Sequence, residues 1–559
     1  MTRFDRRHIL SLYLRESWRR IRRRLALMRF RLTRATVKIP ERLIVAPTDL
    51  RVIDQFVAEE IVQGRFPLAG RVLVTEGDSP FAADPPSPAF VRRLHSFGWL
   101  RHIRADKSDE ACLKARRLVD QWIQMHGKRF EQPSWDVDLA AQRLIAWLSH
   151  SPVVLHGAES PFYRRFMKSI AVHIRFLRRM TVHASGAEAR FRARIALAMA
   201  SMALPLSPAA VRKAGLDLDR ELNRQIAVDG GHVSRNPRTA LDLLFDLLPL
   251  RQTYVNLGHD VPAQLIQGID RMYPALRFFR HQSGDLALFN GATSTLANEL
   301  MAVLRYDETA GKPFRSLPHL DYHRLSAENT VVLVDTGIAK NVDLSRTAHA
   351  GCLSFEMSSG KYRFITNSGS PKFAGEDYRQ AARVTAAHST VVVNETSSSR
   401  LSESAFLGPV MLGGVSHVKA ERTDLPDGGE RLVASHDGYL SAFGLLHERE
   451  LLLSADGTRL SGIDRFPARP VRKKALPAAH ATARFHVHPA IAIVPKSEDT
   501  VLLAAPDGES WLFSCPGFTV DITEDIFFAD ASGLRKSEQL EISFSIAETP
   551  EIHWEFRRQ

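Results

Sequence analysis

The chain has 559 residues, 44% hydrophobic and 25% charged, which is ordinary for a globular protein with room for two or three domains. No apolar run approaches the roughly 18 residues that span a bilayer, and the widely spaced Cys112, Cys352 and Cys515 form neither a disulfide framework nor a zinc-ribbon spacing, which fits a reducing compartment. The net charge of +13 is concentrated at one end: the first 34 residues hold twelve arginines against Asp5 and Glu16, so the body is only slightly basic and a nucleic-acid partner is not expected.

Residues 1–40 read as a basic amphipathic arm. Leu10, Leu14, Trp18, Ile21, Leu25, Met28 and Leu32 recur at steps of three and four, one face of a helix. Arginines, among them Arg19, Arg20, Arg22, Arg23 and Arg24, fill much of the remainder. The apolar run Leu25 to Met28 is too short for a secretory signal and is flanked by arginine. Two arrangements suit such a helix. It can lie on an anionic membrane surface through residues 1–38, or pack its apolar stripe on the body and solvate its arginines. Without an export signal, the expected location is the cytoplasm or the inner face of the membrane; a periplasmic one is the alternative.

Residues 41–310 are mainly helical. A short strand is predicted at Arg71 to Val74, and helical spacing covers Ala111 to Met125, Leu139 to Leu148, Phe162 to Phe176, Arg190 to Ala203 and Thr239 to Leu248. Short breaks between many helices imply antiparallel neighbours. Trp135 is either a stacking platform for a sugar ring or core packing. Asp229-Gly-Gly is a turn, Asn236 a good N-cap and Pro237 suits the first helical position. That arrangement aims His232, Arg235, Asn236 and Arg238 from a helix N-terminus, where an anion is already favoured. Arginine adds bidentate recognition of a carboxylate or sulfate; a solvated cap is the alternative.

From residue 311 to 559 the periodicity becomes two, with turn signals such as Asp456-Gly457 and Asp507-Gly508, which argues an antiparallel sandwich. The stretch 343–394 is the most informative. Cys352 to Met357 alternates as a half-buried strand does, Tyr362 to Thr366 is a second strand and Ser389 to Val393 a third. His349, Asn367 and His388 stand at strand ends, where a rigid sheet would hold them within reach of solvent.

AHAGCLSFEMSSG, RFITNSGS and YRQAARVTAAHSTVVV resemble the core of the heparinase II/III-like polysaccharide lyases, and DGGHVSRNPRTA, FFRHQSGDLALFNGA and LHERELLLSADGTRLSGID resemble further parts of that family. The resemblance implies an N-terminal α/α toroid (an incomplete helical barrel) followed by an antiparallel β-sandwich, with a cleft between them that acts on an acidic, uronate-containing polysaccharide. It implies β-elimination: a toroid Asn or His neutralises the uronate carboxylate, while a Tyr and a His transfer protons. It also implies a structural zinc held by the positions of His349, Asn367 and His388, though an amide is a poorer ligand than the family's aspartate.

The chain departs from the pattern at each catalytic point. The tyrosine position falls on Thr239, the first histidine of the His-x-His pair on Thr347, and no asparagine stands in Ser185 to Glu188. Two functions remain open. One is a lyase with a rearranged set drawn from His232, Tyr254, His349, Tyr378 and His388, with Arg235 and Arg383 on the uronate. The other is a lyase-derived scaffold that binds an acidic glycan without cutting it.

Overall fold

The computed structural model describes residues 3–33, 37–309, 311–467 and 479–559. Helices follow one another from Gln55–Val62 to Ala297–Leu304, with the hairpin of Arg65–Leu68 and Arg71–Val74 near the start. Each predicted helix is present, and the caps account for where they begin. Ser108, Asp136, Ser207 and Asn236 accept from the backbone N–H of Ala111, Asp138, Ala210 and Arg238. Pro208 and Pro237 fill the first turn of their helices, where a missing N–H costs nothing. Val137–Ser149 packs on Ala187–Ala203, which packs in turn on Pro208–Gln225, so the helices close into an incomplete ring.

Two antiparallel sheets follow. The first runs Asp521–Asp530, Gly533–Ser545, His480–Val487, Tyr362–Thr366, Phe355–Ser359, Thr330–Asp335, Tyr322–Ala327, Ser316–Leu317, with Val391–Val393 also paired to His480–Val487. The second has eight strands, from Val418–Asp424 through to Ala492–Ser497. The architecture is a helical toroid followed by a β-sandwich. Thr330–Asp335 shows how the layers join. Its alternate residues Val332 and Val334 enter the core between the sheets, while Val331 and Leu333 enter the toroid's core. A strand covered on both faces reads as a continuous apolar run, as TVVLV does.

That middle position also corrects the half-buried reading of Cys352 to Met357. The strand starts only at Phe355, after a turn in which Leu353 has φ 62°. Its polar residues Glu356 and Ser358 are fully buried, because the loop after helix Ala263–Phe279 covers that face. Glu356 accepts from the backbone N–H of Leu288 (3.1 Å) and Asn367 (3.0 Å) and from the Thr366 hydroxyl (3.2 Å), and it pairs with His281 (3.0 Å) and Arg363 (3.4 Å). One carboxylate thus ties the toroid's last loop to two strands.

The N-terminal helix, Arg3–Thr33, lies across both halves. Phe30 packs edge-on to Phe130 and Phe176 of the toroid, at 4.8 and 5.5 Å between ring centroids. Leu12 packs on Leu407 and Val410 of the sandwich, and Glu16 binds Arg346 (3.2 Å). The docking face is therefore Leu12, Glu16, Ala26 and Phe30. The predicted apolar stripe begins two positions out of phase with it, on the opposite side of the helix, and is not packed on the body. Leu10, Leu14, Trp18, Ile21, Leu25, Met28 and Leu32 are 47–82% exposed.

Candidate functional site

The two halves face each other across a groove. From the toroid come Arg92, Asp136, Asp138, the turn Ser185 to Ala189, Arg192 and Ser234; from the sandwich come Asp343, Leu344, Arg346 and Thr347. This part holds about 290 Å3. It continues through Ala187, Asp343, Leu344 and Arg346 into a cavity of about 510 Å3 beneath the N-terminal helix. Through Arg192 it also meets a cavity of about 170 Å3 inside the toroid.

Thr239, Glu188 and Thr347, which the resemblance singled out, stand close together here. Thr239 donates to Glu188 at 3.1 Å, and Thr347 lines the opposite wall. Burial pushes the Glu188 carboxyl up, against the pull of Arg192. An acid where elimination needs a neutral or positive partner does the reverse of stabilising a uronate that gains charge. Neither threonine hydroxyl titrates near neutrality, so neither replaces a tyrosine or histidine in proton transfer.

The histidines meet, but not at a solvated sheet edge. His349 Nδ1 and His388 Nε2 are 3.1 Å apart, and both rings are buried. His388 Nδ1 bonds the Val384 carbonyl at 2.8 Å. Burial lowers both, His388 to about 4, so the pair is two neutral imidazoles sharing one hydrogen bond. Asn367 is equally buried, and its Oδ1 accepts from the Ser389 N–H at 3.1 Å. Of the donors the resemblance gives to zinc, His349 Nδ1 and His388 Nε2 are engaged with each other and Asn367 Oδ1 with a backbone N–H, so they are held by the protein's own hydrogen bonds.

The N-cap of helix Pro237–Asn256 does reach this pair. Asn236 Nδ2, the Thr347 carbonyl and His349 Nε2 lie 3.5, 3.2 and 3.7 Å from the point where a Cβ on Gly291 would stand. Asn290, which sequence reasoning passed over, links the two. It donates to Asp335 (2.9 Å) and accepts from the His349 N–H (3.2 Å).

The remaining candidates are placed as structure-holding groups. Arg235 is buried against Asp335, bonds the Leu320 carbonyl (2.8 Å) and covers the Tyr322 ring at 4.6 Å, so it bolts toroid to sandwich rather than facing a ligand. Arg238 is held by Glu299 (2.6 Å) and Asp242 (3.0 Å). Arg383 bonds the carbonyls of Ala348 (3.0 Å) and Ser345 (2.8 Å), bracing the loop that carries Thr347 and His349. His232 is buried between Gln225 (2.8 Å) and Ser234 (2.7 Å), with its pKa lowered to about 3 by burial and then by Arg192. Tyr254 is buried sixteen residues along its helix from Arg238, about 24 Å at 1.5 Å per residue. Tyr378 is exposed beside Phe528. Trp135 is buried among Phe130, His173 and Phe176, which leaves no face for a sugar.

Comparisons with known proteins agree with this architecture. The family model for the heparinase II/III-like C-terminal domain matches residues 309–555. FtsZ-localized protein C of Caulobacter vibrioides is 31% identical over 533 residues, 92% of this chain and 89% of the relative. The crystal structure of heparinase III superposes with a TM-score of 0.72 at 12% identity, covering 94% of this chain and 88% of that one. A heparan sulfate lyase of Pedobacter heparinus, in a mutant form, gives 0.60 at 14% identity over 96% and 88%.

Proposed function

We propose, for a chain that belongs to the heparinase II/III-like family, that it binds an acidic glycan in the groove between toroid and sandwich without cleaving it. The observation that carries this reading is the set of groups where elimination would occur: the Thr239–Glu188 hydrogen bond faces Thr347, and the two family-like histidines are buried, neutral and bonded to each other. A binding role asks only for shape and charge; the groove supplies the shape, and arginine exceeds carboxylate not on its own wall but in the adjoining cavity beneath the N-terminal helix, where Arg15, Arg19, Arg190, Arg224 and Arg346 stand against Glu16, Glu221 and Asp343. The test is prolonged incubation of the full chain with uronate polymers, sulfated and unsulfated, followed by ultraviolet absorbance of the unsaturated product. No rise is expected; a rise that scales with protein concentration would overturn the reading.

The N-terminal helix adds a location. Its uncovered apolar stripe is flanked by exposed Arg7, Arg15, Arg22, Arg24 and Arg29, the pattern of a helix lying in an anionic membrane surface. No helix among the described residues is long and apolar enough to cross a membrane. The relative's name, FtsZ-localized protein C, supports a place of action alongside FtsZ. In vesicle flotation the full chain should rise with anionic vesicles and stay down with zwitterionic ones. Trp18→Glu combined with Leu25→Glu, both at exposed positions, should abolish flotation and leave the fold intact. Equal flotation of variant and parent would end the membrane role.

A further inference from the structure

Inside the toroid, at the groove's inner end, positive charge exceeds what neighbouring carboxylates balance. The cavity of about 170 Å3 is lined by four arginines, Arg51, Arg93, Arg101 and Arg192, and three aspartates, Asp49, Asp242 and Asp246. Most of these are already matched. Arg51 binds Asp246 at 2.8 Å and Asp49 at 3.4 Å; Arg192 binds Asp138; Asp242 is taken by Arg238.

Two guanidinium groups are left over. Arg101 comes only to 3.8 Å from Asp49, which Arg51 and His150 (3.3 Å) already share. Arg93 has no ion pair and no side-chain hydrogen bond among the described residues. Both groups border one small space. The point where a Cβ on Gly98 would stand is 2.8 Å from Arg101 Nη2 and 3.9 Å from Arg93 Nη1. Arg101 Nε donates to the Gly98 carbonyl at 2.7 Å, and glycine lets the guanidinium pack close to the backbone where a Cβ would press on it. Burial and then Arg93 lower Arg101 to about 9 against the pull of Asp49 and Asp246, and burial and then Arg51 act on Arg93 against the pull of Glu299, Asp242 and Asp49, so the cations repel one another. Lys372, from the sandwich, is lowered by burial and feels Arg93 as a further like charge.

We propose that Arg93 and Arg101 form an anion clamp that takes the carboxylate or sulfate group of a sugar bound in the groove, an inference that deepens the glycan-binding reading and rests on it. Planar guanidinium forks match both groups bidentately, and a low-dielectric wall strengthens the contact. An anion would give Arg93 the direct partner that Glu299, Asp242 and Asp49, acting only at longer range, do not.

The test is calorimetry and thermal unfolding of the full chain with inorganic sulfate, glucuronate, uronate oligosaccharides and, as a neutral control, glucose. Sulfate and glucuronate should bind and raise Tm, and glucose should not. Arg93→Gln should weaken both anions by about tenfold or more, as expected for loss of a charge-assisted bidentate contact. It should also raise the ligand-free Tm, since it removes repulsion; Arg93 is exposed to the cavity, so the variant should fold. Arg101→Gln should weaken binding likewise. Unchanged anion affinity in Arg93→Gln, or no binding of either anion to the parent, would overturn the clamp. If sulfate binding is lost in Arg93→Gln but oligosaccharides never bind, the clamp stands and the glycan reading fails. If oligosaccharides bind equally to parent and Arg93→Gln, the clamp fails and the glycan reading stands.

Discussion

Glu356→Ala is expected to lower the stability of the chain by about 3–5 kcal/mol, the range for removing one partner of a buried ion pair. The carboxylate is fully buried, yet its pKa is held down to about 2, because Arg363 and His281 outweigh the cost of burial. Its removal leaves Arg363 with only the more distant Asp285, at 3.8 Å, for an ion pair and two backbone N–H groups, of Leu288 and Asn367, without their acceptor. Glu356→Gln keeps the shape and some of these bonds, so it should lose less. Denaturant midpoints of the three proteins give the answer. A loss below about 1 kcal/mol for the alanine variant, the size of one ordinary hydrogen bond, would contradict the role of this carboxylate as the joint between toroid and sandwich.

Stability should also fall steeply between pH 7 and pH 5. Burial lowers His95, His232 and His488 to about 3 and His281 and His388 to about 4, with nearby arginines Arg143, Arg192 and Arg363 adding to the effect at His95, His232, His281 and His488. An unfolded histidine titrates near 6.5. Between about 6.5 and 4 the unfolded chain therefore takes up protons that the folded chain refuses, and stability is lost as pH falls through that window. Each such group contributes about 2 kcal/mol of loss from pH 7 to 5. Below about 4 the loss passes to carboxylates whose folded pKa is depressed, Glu356 and Asp464 among them. Urea unfolding at half-unit pH steps measures the slope. His232→Asn should flatten it by about one proton, and a stability profile level from pH 7 to 5 would contradict the neutral, buried state of these rings.

Much of the fold was legible because local chemistry and global packing agree. Asn236 and Pro237 announced a helix start and the helix starts there. Tyr362 to Thr366 alternated as a strand and is one. What a periodic pattern lacks is the identity of the layer that covers each face. Glu356 looked like the wet side of a strand and is dry, since a loop seventy residues earlier in the chain seals it. The N-terminal helix shows the same limit. Its apolar stripe was plain, but Phe30, Leu12 and Ala26 do the docking, and nothing local marks their face as the one the body would meet. The site was partly legible as well. The stretches to which the resemblance drew attention do stand close together: Thr239 bonds Glu188, and Glu188 shares a groove with Thr347. Arg93 and Arg101 were not legible, because they sit on neighbouring short helices and act only through the shared space at Gly98.

The most direct test of the central claim is equilibrium titration of the full chain with a uronate oligosaccharide and with a neutral one of equal length, at low and at moderate salt. The account predicts saturable binding of the acidic sugar alone, weakened as salt screens its charge. Equal affinity for both sugars, or no binding of either, would contradict it.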